Sequence, residues 1–135
     1  MQAVTHPYKL LIVDDEPDVL EVLMRRLELW GYEVCEAANG SEATARARTF
    51  EPDLVICDMM LPDKNGFEIW REIVAIGCKA PFLFLTGRMV SSPEGQEIRQ
   101  AGNDFLLKPF DAPELQSKVE ELIKNKGSRS EKTHE

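Results

Sequence analysis

The chain has 135 residues, 43% of them hydrophobic and 30% charged, which suits one globular domain with a core of its own. A formal net charge of −8 opposes non-specific attachment to nucleic acid or anionic lipid, so any effect on DNA would have to pass through a partner or another domain. Three cysteines without a C-x-x-C pair suggest neither a disulfide framework nor a zinc site, and no apolar run approaches the roughly 18 residues of a membrane span.

Residues 1–7 carry no periodic signal, and residues 1–8 read as a lead-in without the charged-then-apolar layout of a signal peptide, so a cytoplasmic location is expected. The first apolar run, Tyr8 to Val13, ends in Asp14-Asp15-Glu16 and predicts a strand with acid at its carboxyl edge. Pro17 suits the first turn of a helix, whose apolar positions Val19, Leu20, Val22, Leu23 and Leu27 recur at helical spacing until Gly31 stops it. Glu33 to Ala37 reads as a short strand, and Asn39-Gly40 turns into an alanine-rich helix that runs to about Phe50.

Leu54-Val55-Ile56-Cys57 predicts a buried strand that delivers Asp58 at its end, open to ligand, before a loop punctuated by Pro62 and Gly66. A helix over 66–76 follows, then a strand from Pro81 to Leu85 ending at Thr86-Gly87. The next helix starts well at Ser92-Pro93-Glu94 but has few apolar anchors, which makes it the weakest of the set and a candidate moving part. Asp104 to Leu107 is the last strand, ending at Lys108-Pro109-Phe110, and Leu115, Val119, Leu122 and Ile123 anchor the last helix. Residues 125–135 are polar and are expected to form a disordered tail or linker. Cys35, Cys57 and Cys78 read as small core fillers.

Five strand signals alternating with five helix signals predict an α/β fold, a three-layer αβα sandwich over residues 9–124. In such sheets ligands bind beyond the carboxyl ends of the strands. The residues at those ends are Asp14, Asp15, Asp58, Thr86 and Lys108. Three clustered carboxylates repel one another and call for a cation, and an all-oxygen ligand set points to Mg²⁺. Beside a metal, a carboxylate nucleophile, a hydroxyl donor and an ammonium group describe a phosphoryl-transfer site with Asp58, Thr86 and Lys108 as its reacting groups.

These motifs, from Ile12-Val13-Asp14-Asp15-Glu16 through Asp58-Met59-Met60-Leu61-Pro62-Asp63-Lys64-Asn65-Gly66 and Leu85-Thr86-Gly87 to Ala101-Gly102-Asn103-Asp104-Phe105-Leu106-Leu107-Lys108-Pro109-Phe110, resemble those of two-component response regulator receiver domains. The resemblance implies a flavodoxin-like parallel sheet of order 2-1-3-4-5, the topology class that includes a member of this family. It implies that Asp58 accepts a phosphoryl group from a sensor histidine kinase, a phosphotransfer protein or a small phosphodonor. Asp15 would bind Mg²⁺ directly and Asp14 mainly through water, with the backbone carbonyl of Met60 as a further ligand. Thr86 and Lys108 would contact phosphoryl oxygens, and Phe105 matches the aromatic switch. The implied role is a signalling switch rather than an enzyme, acting on an effector or output domain, with no direct contact to nucleic acid or membrane. A phosphorylation-dependent homodimer is left open. Gly87 stands where alanine is usual, and Glu120 where an arginine often accompanies a basic residue such as Lys118.

A Mg²⁺-dependent phosphohydrolase on a similar sheet is the alternative, although such enzymes carry D-x-D where this chain has adjacent aspartates. A flavin-binding module is a third reading, and it lacks a Ser/Thr/Gly-rich phosphate loop after the first strand.

Overall fold

The computed structural model describes the backbone of residues 7–134 and the side chains of residues 7–125. Residues 1–6 of the expected lead-in lie outside them. The elements alternate as β1 (Lys9–Val13), α1 (Pro17–Leu29), β2 (Glu33–Ala37), α2 (Gly40–Phe50), β3 (Leu54–Asp58), α3 (Gly66–Ala75), β4 (Phe82–Thr86), α4 (Pro93–Gln100), β5 (Asp104–Leu107) and α5 (Ala112–His134). The five strands form one parallel sheet of order β2-β1-β3-β4-β5, as the resemblance implies.

The near-continuous apolar runs have a simple cause. Successive strand residues point to opposite faces, and each face is covered by helices, so both sets must be apolar. Leu11, Val13, Val55, Cys57, Phe82, Phe84 and Phe105 form one layer with Ala43, Ala47, Phe67, Ile69, Ile73 and Ile98 from α2, α3 and α4. Leu10, Ile12, Leu54, Ile56, Leu83, Leu85 and Leu106 form the other with Leu20, Leu23 and Leu27 of α1 and Leu115, Val119, Leu122 and Ile123 of α5. Each large aliphatic or aromatic side chain so buried contributes roughly 1.5–3 kcal/mol. Cys57 belongs to this core: burial, with the charges of Asp58 and Asp14 adding to it, pushes its thiol pKa up.

Helix ends follow the local chemistry. Gly31 adopts φ +98°, a conformation that suits glycine just past the end of α1. Asn65 caps α3 in a reciprocal box with Glu68, and Ser92 caps α4 at the Gly95 amide. α4 spans eight residues, of which only Gly95 and Ile98 are buried, in line with its weak apolar pattern. α5 continues to His134, past the last apolar anchor at Ile123, where the sequence predicts a disordered tail. The side chains beyond residue 125 are outside those described.

Asn103, which reads as a turn residue, is a buried clasp. Its Oδ1 accepts the Phe82 amide at 2.7 Å and its Nδ2 donates to the Ile98 carbonyl at 2.9 Å, joining the start of β4 to the end of α4. Asn103→Ala strands the Phe82 N–H in the core and is expected to cost about 2–3 kcal/mol, read from urea unfolding. An unfolding midpoint equal to that of the parent would contradict this clasp.

Candidate functional site

The strand register assembles the site. Val13 pairs with Cys57, so the next residues, Asp14 and Asp58, lie side by side on adjacent strands about 4.8 Å apart. Thr86 pairs with Leu107, and the Lys108 amide donates to the Thr86 carbonyl at 2.7 Å, which brings Lys108 to the same edge. Asp14, Asp15, Asp58, Thr86 and Lys108, distant in the chain, therefore share one rim.

Asp58 is held at both carboxylate oxygens. Oδ1 accepts the Met60 amide at 3.0 Å, and Oδ2 accepts the Lys108 ammonium at 3.0 Å. The sequence suggests an openly exposed acid, whereas Asp58 is only 8% exposed, because the loops after β3, β4 and β5 rise around it. It is reached through a cleft of about 1120 Å³ lined by Asp15, Thr86, Lys108 and the segment Gly87 to Ser92. Met60 and Met89 sit at its mouth, strongly exposed. Met89 carries no signal in the sequence because it belongs to an irregular loop, and Val90, which reads as an apolar anchor of the fourth helix, lies in that loop before α4 and lines the cleft.

Asp14 is fully buried. Its Oδ1 accepts the Glu16 amide at 3.0 Å, while its Oδ2 has no hydrogen-bond partner. Burial raises the Asp14 pKa to about 6, the Asp58 charge adds to the rise, and the Glu16 amide and Lys108 oppose it. Oxygens of Asp14, Asp15 and Asp58 lie within 4.8 Å of one another. An orphaned buried oxygen and three hard donors fit a small divalent cation with bound water, which satisfies Oδ2 and offsets the repulsion.

The Thr86 hydroxyl is occupied by its own loop: it donates to the Arg88 carbonyl at 3.1 Å and accepts the Arg88 amide at 3.2 Å. Phe105 is turned inward, 7% exposed, stacked on Phe84 at 5.3 Å and edge-on to Phe67. The Arg99 guanidinium covers its outer face at 4.7 Å from the ring centroid. Arg99 also lies 3.6 Å from Asp104, whose other oxygen takes Lys118 at 2.6 Å.

The doubly wound sheet and its acidic rim define a phosphoryl-handling module of the flavodoxin-like class. The chain belongs to the response regulator receiver domain family, whose model matches residues 10–120. That family serves phosphorylation-dependent two-component signalling, not turnover of a metabolic substrate. The chain is 32% identical over 116 residues to the alkaline phosphatase synthesis transcriptional regulatory protein PhoP of Bacillus subtilis, an alignment covering 86% of this chain and 48% of that protein. It is 33% identical over 132 residues to the transcriptional regulatory protein PrrA of Mycobacterium tuberculosis, covering 98% of this chain and 56% of PrrA. The chain thus spans about half the length of these relatives. Among solved structures it is similar to the Vibrio cholerae chemotaxis protein CheY4 (TM-score 0.77, 30% identity, covering 87% of this chain and 99% of that one). It is also similar to a CheY-like receiver domain protein from Methanospirillum hungatei (TM-score 0.81, 27% identity, covering 92% and 99%). Among the described residues, no helix is long and apolar enough to cross a membrane.

The Asp14 environment makes stability depend on pH. The unfolded chain ionises this carboxyl near its ordinary value of 3.8, and the folded protein only near 6, so native stability falls as pH rises through that window. With metal removed by EDTA, Asp14→Asn is expected to stabilise the fold by roughly 1–3 kcal/mol at about pH 7.5, and by much less at about pH 4. Urea unfolding at the two pH values checks this, and a pH-independent difference would contradict it.

Proposed function

We propose that the chain is a switch set by phosphorylation of Asp58. The observation that carries this reading is the Asp58 carboxylate, held by the Met60 amide and the Lys108 ammonium at the floor of an open cleft. An Asp58 oxygen attacks the phosphorus of an acyl phosphate or a phosphohistidine in line. The bond from phosphorus to the leaving oxygen or nitrogen breaks, and the leaving group departs with its electron pair. Lys108, already 3.0 Å from Asp58, balances the charge on the transferred oxygens. Attack by water on phosphorus then returns the free carboxylate and inorganic phosphate.

Asp14, Asp15, Asp58 and the Met60 carbonyl would hold Mg²⁺, which when bound supplies neutralising charge at the phosphoryl oxygens. Thr86 gives up its two bonds to Arg88 for a phosphoryl oxygen. A hydrogen bond to an anion is roughly twice as strong as one between neutral groups, which favours the exchange. The segment from Gly87 to Ser92 is thereby released, and the surface of α4 and β5 around Phe105 is reshaped.

The unit that does this is residues 9–124. Its donor is a sensor histidine kinase, a phosphotransfer protein or a small phosphodonor. Its target is a partner or an output domain, a reading favoured by relatives that are transcriptional regulators of about twice this length. A cytoplasmic setting belongs to the same reading, because phosphodonors such as acetyl phosphate are intracellular metabolites.

Incubation with acetyl phosphate and Mg²⁺ is expected to add one phosphoryl group by intact mass, lost again on EDTA-quenched hydroxylamine treatment, and Asp58→Asn is expected to gain none. Equal labelling of the variant would remove Asp58 from this role. Sustained release of phosphate from a phosphomonoester would instead favour a hydrolase.

A further inference from the structure

The loop after Asp58 is anchored to a helix that supplies nothing to the site. Residues 60–65 form a closed turn, shut by a bridge between Met60 and Asn65 and by the Gly66 amide donating to the Met59 carbonyl at 2.9 Å. Asp63 lies near its tip. Its Oδ1 accepts the Gly40 amide at 2.9 Å and its Oδ2 the Ser41 amide at 3.1 Å, the first two amides of α2. Those amides have no partner within the helix, and they carry the positive end of its dipole. Asn39 caps only the third, at Glu42. The Gly40 amide, chief among these donors, holds the Asp63 carboxyl below its ordinary range.

The neighbouring residue repeats the attachment. Lys64 runs across Gly40 so closely that a Cβ there would lie 2.7 Å from its stem carbons, and its ammonium meets both oxygens of Glu72 on α3 at 2.7 and 2.8 Å. Glu72 in turn accepts the Thr44 hydroxyl of α2 at 3.1 Å. At its inner end, the same turn presents the Met60 amide to Asp58.

We propose that Asp63 is a positioning residue of the phosphorylation site: by gripping the first two amides of α2, it holds the 60–65 turn so that the Met60 peptide is fixed against Asp58. This rests on the reading of Asp14, Asp15, Asp58 and Met60 as a Mg²⁺ site. A cap 23 residues away in sequence exploits two obligatory donors of α2 to immobilise a backbone that a free turn would leave to fluctuate. Asp63 is not one of the acids whose oxygens cluster at the site.

The test measures Mg²⁺ affinity by calorimetry, amide hydrogen exchange at Met60, and urea stability in EDTA for the parent chain, Asp63→Ala and Asp63→Asn. Asp63→Ala is expected to weaken Mg²⁺ binding about threefold to tenfold and to speed Met60 exchange by a similar factor, with core amides of β1 unchanged. Asp63→Asn, which keeps the shape and one acceptor oxygen, is expected to fall between Asp63→Ala and the parent; it also serves if the alanine variant does not fold. Lower stability with unchanged Mg²⁺ affinity and unchanged Met60 exchange would reduce Asp63 to a helix cap and overturn the proposal. If the parent chain itself binds no Mg²⁺, the metal reading fails. The Met60 exchange rates then decide alone whether Asp63 holds the turn: faster exchange supports it, and equal exchange overturns it.

Discussion

Asp14, Asp15 and Asp58 keep carboxylate oxygens within 4.8 Å of one another, and the rest of the molecule is arranged around that unfavourable grouping. Two like charges at about 4 Å repel by about 4 kcal/mol at an effective dielectric near 20, so the cluster persists only because other parts of the chain oppose it. The Lys108 ammonium comes from 50 residues away, and the Glu16 and Met60 amides come from the turns that follow β1 and β3. These groups relieve the conflict only in part. The Asp14 carboxyl remains shifted upward, and one of its oxygens remains without a partner, a conflict that a small cation beside the cluster would relieve.

The two residues of the proposed switch stand in different conditions. Thr86 is engaged with its own loop through two neutral hydrogen bonds each worth about 1 kcal/mol, so its hydroxyl is only weakly held there. Phe105 is already inward, clasped between Phe84 and the Arg99 guanidinium, and Arg99 is itself steered by Asp104. On the proposed reading, the element that moves is the loop between Thr86 and α4. That loop meets α4 where the Val90 side chain fills the space a Cβ on Gly95 would need, at 2.3 Å. α4 has one buried apolar side chain, Ile98, and an exposed ion pair between Arg71 and Glu94, so little energy opposes a small shift.

The loops on the two sides of Asp58 differ correspondingly in how they are held. The turn after β3 is fastened to α2 and α3 through Asp63, Lys64 and Glu72, whereas the segment after β4 is fastened mainly through Thr86 and Val90. On the proposed reading, rigidity on one side keeps the Asp58 carboxylate oriented, and looseness on the other lets its phosphorylation be seen at the surface.

The sequence by itself determined the alternation of five strands and five helices, because the inner parallel strands β1, β3 and β4 are buried on both faces, are therefore apolar almost throughout, and end visibly where a polar residue begins. For the same reason Asp14, Asp15, Asp58, Thr86 and Lys108 were legible as one rim: parallel strands all end at the same edge, and reading the residue that ends each is enough to place them there. Tertiary structure alone decided how those residues are held. The burial of Asp14, the Lys108 contact on Asp58, the Asn103 clasp, the Arg99 cover on Phe105 and the Asp63 grip on α2 join segments that local periodicity treats as independent. Such contacts depend on the direction in which each loop leaves its strand and on which helix amides are left over for it, and neither quantity is written in any single stretch of chain.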